Sequence, residues 1–113
     1  MPREVRSLFL DIRAAAETLR ALAAGKSTDE LRDDIVLRLA VERLLITLGE
    51  AVARIRRDHP QHAARISAGR EIVAMRNLLI HQYEIIELDI VVAVIEEDLN
   101  VILDEARAAL DDA

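Results

Sequence analysis

The chain has 113 residues, with 21 acidic and 15 basic side chains for a net charge of −6, no cysteine, and only Phe9 and Tyr83 as aromatics. That length fits one domain with a single modest core, and the missing thiols exclude a disulfide framework and thiolate chemistry. Two aromatics are too few for a surface built of stacked bases, while three glycines and two prolines in a background of Ala, Leu, Ile, Glu and Arg favour long helices.

A first helix is expected from about Arg3 to Ala24, because Val5, Leu8, Phe9, Ile12, Leu19 and Leu22 recur at three- and four-residue steps and Gly25 follows as a stop. Ser27-Thr28-Asp29-Glu30 then reads as a capping box, with Ser27 placed to accept from the first turn and Glu30 to reach back. The second helix extends from there to about Asp58, with Ile35, Leu39, Leu44, Leu45, Leu48, Val52 and Ile55 on its apolar side, and Pro60 prevents simple continuation. Gly49 inside it costs about 1 kcal/mol relative to alanine, which suggests a close helix crossing there. The third helix begins after Ser67 and buries Ile72, Met75 and Leu79. The fourth runs from about Asp89 to Leu110, with Val91, Val92, Ile95, Leu99, Ile102, Leu103 and Leu110 as its stripe.

Four amphipathic helices in a chain this short predict an all-α, antiparallel four-helix bundle, a single helical domain over residues 1–113. The second helix is apolar beyond one stripe, counting Val36, Leu37, Val41 and Ile46, and a symmetric homodimer is the simplest way to cover the excess. No apolar run is long enough to span a bilayer, and the start Met1-Pro2-Arg3-Glu4-Val5-Arg6 lacks the features of a signal peptide. A soluble cytoplasmic protein is expected.

A net negative charge is unusual for a protein that binds phosphate backbones, but its distribution matters more than its sum. Residues 1–53 carry eight basic and nine acidic side chains. Residues 54–83 carry six arginines, Arg54, Arg56, Arg57, Arg65, Arg70 and Arg76, against Asp58 and Glu71. Residues 84–113 carry one arginine against ten acids. The positive segment is a candidate anion-binding patch, with a solvated helix face as the alternative.

That segment ends in Arg76-Asn77-Leu78-Leu79-Ile80-His81-Gln82-Tyr83, where four side chains able to do chemistry, Arg76, Asn77, His81 and Tyr83, interrupt an apolar stretch and need partners or a use. At about 100° per residue Asn77 and His81 share a helix face, as do Arg76 and Tyr83, whereas Arg76 and His81 lie about 140° apart. Three arrangements reconcile the last pair: the helix distorts or ends before His81, the long guanidinium arm bends round, or the site is completed by a second copy. His59 and His62, spaced i, i+3, find no further ligands nearby in sequence, so neither a metal site nor a cofactor is expected.

The Arg76-to-Tyr83 segment, with Arg70-Glu71-Ile72-Val73-Ala74-Met75 before it, resembles the signature of the HEPN superfamily and specifically its HepT-like members. Ala40-Val41-Glu42-Arg43 with Gly49-Glu50-Ala51 is similar to that family's second helix, and Ile95-Glu96-Glu97-Asp98-Leu99 to the start of its last. The chain departs from the pattern just after Tyr83, where many relatives have an aromatic and a glycine and this chain continues Glu84-Ile85-Ile86-Glu87. The resemblance implies a HEPN-type bundle and a metal-independent endoribonuclease toxin, with two motifs facing each other across a homodimer. It also implies a nucleotidyltransferase antitoxin that transfers AMP onto Tyr83, adding charge and bulk where RNA binds.

The residue types suit that chemistry. An imidazole, with an ordinary pKa of about 6.5, exchanges a proton near neutral pH, making His81 the candidate base or acid. A planar guanidinium grips a phosphate through two hydrogen bonds, the role of Arg76. Asn77 would fix the imidazole tautomer or bind a phosphate oxygen, and Arg54, Arg56, Arg57 and Arg70 are candidates for the RNA backbone. Against this stand a catalytically silent helical module that binds a nucleotidyltransferase as its subunit or substrate, and a plain scaffold in which Arg76 pairs with Glu42 or Glu71.

Overall fold

The computed structural model describes residues 1–81 and 88–112, which form seven helices. Helix α1, Arg3–Ala23, buries Val5, Leu8, Phe9, Ile12, Ala15, Ala16 and Leu19 along one face. Leu22, expected on that face, is half-exposed. Gly25 then takes φ +76°, the left-handed conformation that lets the chain turn away without a Cβ clash.

Helix α2, Thr28–Asp33, opens on the expected capping box. The Ser27 Oγ accepts from the Glu30 N–H at 3.1 Å, and the Ser27 N–H donates to Glu30 Oε1 at 3.2 Å. The single helix expected from here to Asp58 is two, because α3, Ile35–Asp58, starts afresh. Asp34 leaves helical geometry (φ −114°, ψ 94°), and its Oδ1 accepts from the Leu37 N–H at 3.1 Å. A short acidic side chain competes with the helix ladder for backbone donors, and here it ends one helix and caps the next. The break turns Leu31 into the core.

Along α3, Val41, Leu45, Leu48, Val52 and Ile55 are buried, and Leu37, Leu44 and Ile46 pack at the core's edge. Ile35 and Leu39, expected on the core side, are instead 50% and 54% exposed, and Val36 beside them is 75% exposed. The apolar excess of this helix is therefore gathered at its N-terminal end. Pro60 begins the one-turn α4, Pro60–Ala63, and α5 follows at Gly69–His81.

The last expected helix is also divided, into α6, Leu88–Glu97, and α7, Leu99–Asp111. Asp98 sits at the joint with φ −109°. Backbone bonds still run into and out of it, from the Asp98 N–H to Val94 O at 2.9 Å and from the Ile102 N–H to Asp98 O at 3.0 Å, so the two helices are hinged rather than severed. Burial, then the neighbouring Glu97 and Glu71, push the Asp98 carboxyl above its ordinary range. A raised carboxyl penalises the ionised folded state above its pKa, and the penalty disappears as pH falls through that pKa and the acid is protonated. Asp98→Asn is therefore expected to raise Tm at pH 7 by up to a few degrees and to leave it unchanged near pH 3, as thermal melts at both values will read.

Helix α1 packs against α3 and α7, α3 also against α5, and α2 bridges α3 and α6. The long helices alternate in direction. His59, just past α3, lies 3.5 Å (Nε2 to Oε2) from Glu4 at the start of α1, and Arg65, between α4 and α5, bonds Asp112 after α7 at 2.8 Å. Phe9, Ile12, Leu19, Leu48, Ile102 and Leu103 form the centre of one apolar core, with no charged side chain buried in it among the described residues. The architecture is thus the expected all-α bundle, and no described helix is long and apolar enough to cross a membrane.

Candidate active site

Helix α5 carries the motif, and two glycines govern how close it lies to α3. The loop before it is anchored from α7: the Ser67 N–H and Oγ–H both donate to the Glu105 carboxylate, at 3.0–3.2 Å. At the start of α5, a Cβ on Gly69 would lie 3.3 Å from Arg56 Nη1 and 3.5 Å from a Val52 methyl. Two turns on, a Cβ on Gly49 of α3 would collide with Arg76 Cβ and stand 2.9 Å from its Cγ and 3.2 Å from the Ile72 carbonyl oxygen. The crossing anticipated at Gly49 is therefore made against the motif arginine itself.

Arg76 is half-buried by this contact. Its Nη1 donates to Asn77 Oδ1 at 2.7 Å, while its Nε is shielded from solvent with no acceptor among the described residues. The carboxylates that might have neutralised it do not pair with it. Glu42 lies 3.9 Å from Arg38, and Glu71 makes no ion pair among the described residues. Asn77 uses its carbonyl oxygen to hold the arginine, which leaves its NH2 group for the tautomer-fixing or phosphate-binding contact expected of it.

His81 is exposed and is the last residue of α5. The helix runs unbroken through it, so α5 neither distorts nor ends before His81, and the pair stays about 140° apart around the axis and about 7.5 Å apart along it. A bent arginine arm or a second copy are the two arrangements left. Glu42 stands two turns before Gly49 on the same face of α3, toward the His81 end of the antiparallel α5. Burial raises its carboxyl above the ordinary range, against an opposing pull from Arg38. Tyr83 lies outside the described residues, as does the departure at Glu84–Glu87.

The arginine patch is only partly free. Arg57 forms a two-pronged bond to Asp58, at 2.9 and 3.0 Å, which holds the Asp58 carboxyl below its usual range. Arg54, Arg56 and Arg70 are exposed and make no ion pair among the described residues, so they retain charge to offer an incoming anion. His59 Nε2, shielded from solvent at the end of α3, has no hydrogen-bond partner among the described residues, with Glu4 of α1 facing it at 3.5 Å.

The model of the family described as "Ribonuclease HepT-like" matches residues 12–109, a span from the middle of α1 to the last turn of α7. The chain belongs to the ribonuclease HepT-like family. A Methanocaldococcus jannaschii protein named "Putative RNase MJ1380" is 28% identical over 105 residues, covering 93% of this chain and 95% of that one. No solved structure matches the chain significantly. This HepT-like chain holds its arginine and asparagine as a bonded pair on α5, with Gly49 of α3 beneath them.

Proposed function

We propose that this HepT-like protein is a metal-independent endoribonuclease toxin that acts as a homodimer. The observation that carries the reading is the state of Arg76: a half-buried guanidinium, steered by neutral Asn77, with no carboxylate among the described residues to neutralise it. A cation so placed has its charge available for a phosphate.

In the reaction, His81 removes the proton of a ribose 2′-hydroxyl, and the 2′-oxygen attacks the adjacent phosphorus. Arg76 stabilises the charge that builds on the phosphoryl oxygens. The 5′-oxygen leaves with a proton returned by an imidazole, giving a 2′,3′-cyclic phosphate and a free 5′-hydroxyl. Because His81 and Arg76 diverge on one helix, the second copy supplies the complementary half of the site, and the exposed Ile35-Val36-Leu39 face of α3 offers apolar surface for pairing. Arg54, Arg56 and Arg70 guide the RNA backbone. Tyr83, two residues past His81, is the acceptor for AMP from a nucleotidyltransferase antitoxin, which silences the toxin by bulk and negative charge.

The test is RNA cleavage by the purified chain in excess EDTA, with product ends identified. Cleavage leaving cyclic phosphates is expected. Failure to cut a broad panel of RNAs would overturn the nuclease reading and favour a silent module that binds a nucleotidyltransferase.

A further inference from the structure

On the side of α5 away from Gly49, helices α5 and α6 form the banks of an open groove of about 650 Å³. Its floor is apolar: Ala74, Met75 and Leu78 on one bank, Ile90, Ala93 and Val94 on the other. Its rim is acidic, with Glu71, Asp89, Glu97 and Asp98 around it. None of the four makes an ion pair among the described residues, and Asp89 has only a hydrogen bond from the Thr28 hydroxyl at 2.7 Å. No lysine or arginine lines the groove among the described residues, and none stands between Arg76 and Arg107 in the sequence.

We infer that this groove is the docking site for a basic amphipathic helix of a protein partner. An apolar trough between two helices receives the apolar stripe of a third, and alanines facing each other from the two banks leave room for a helix to settle deeply. The carboxylates on both sides fix the chemistry of the occupant's flanks as Lys or Arg. Glu97 and Glu71 both stand close enough to Asp98 to repel its charge, so a cation seated among the three meets three carboxylates at once. RNA is repelled by the same rim. A second copy in symmetric register would set these carboxylates against their own counterparts. Ala74, Leu78 and His81 follow one another at helical steps along a single stripe of α5, so a helix seated here lies alongside His81.

The experiment titrates the full-length protein with a synthetic helical peptide bearing a leucine stripe flanked by lysines, and with a counterpart in which glutamates replace the lysines. Binding is read by calorimetry and by the methyl signals of Met75, Leu78, Ile90 and Val94, without reference to nuclease activity. The lysine peptide is expected to bind at least about tenfold tighter, to shift those methyls and to weaken with salt. The exposed double variant Glu71→Lys/Glu97→Lys reverses the preference. Equal binding of both peptides, shifts confined to another surface, or no binding would overturn the inference. So would methyl shifts that track protein concentration or added oligonucleotide, which would give the groove to a second copy or to RNA.

Discussion

His81→Ala is expected to lower kcat/KM for RNA cleavage about 10²- to 10⁴-fold, the usual contribution of a positioned proton-transfer group. The side chain is exposed at the end of α5 and takes part in no core packing, so unfolding free energy should move by no more than about 0.5 kcal/mol. A loss of activity without a loss of stability separates a chemical role from a structural one. The companion Arg76→Lys keeps the charge but loses the two-pronged guanidinium and the bond to Asn77, and should fall in kcat more than in KM. Wild-type cleavage in both variants would show that the site lies elsewhere.

Gly49→Ala should reduce cleavage by about 10²-fold although residue 49 touches no substrate, because misplacing a catalytic group by about 1 Å is enough for such a loss. The added methyl would collide with Arg76 Cβ, so α5 must shift away from α3 at this point. Overpacking of this kind costs about 1–3 kcal/mol of stability, which denaturant titration will register. Gly69→Ala is the internal control: its methyl meets Arg56 Nη1 at 3.3 Å, the mobile end of an exposed side chain, and should cost less in stability and little in cleavage. If the two variants lose the same activity, Gly49 acts only through general packing.

Much of the bundle could be read from residue patterns. The capping box at Ser27, the stop at Gly25, the Pro60 boundary and the buried face of α5 all follow from local chemistry, and the structure shows each. The breaks at Asp34 and Asp98 were missed because apolar periodicity continues across both. The informative signal was present at Asp34, an acidic cap immediately before Ile35-Val36-Leu37, but a good cap competes with a good helix interior and tertiary burial of Leu31 decides between them. Periodicity likewise located the stripe containing Ile35 and Leu39 without saying what covers it. At the site, Gly49 announced a crossing, yet its partner depends on the register between α3 and α5. The same register keeps Arg76 from Glu42 and leaves it bonded to its neighbour Asn77.

The collision geometry at Gly49 also bears on which sequences can share this fold. The colliding atom at 76 is Cβ, which every residue except glycine carries, so position 49 stays glycine for as long as α3 and α5 cross at this distance, whatever stands at 76. A descendant released from the need to cut RNA is free to lose Arg76 and must still keep Gly49 or spread its helices. Gly49 thus marks the crossing, and Arg76 alone marks copies that retain the working arrangement.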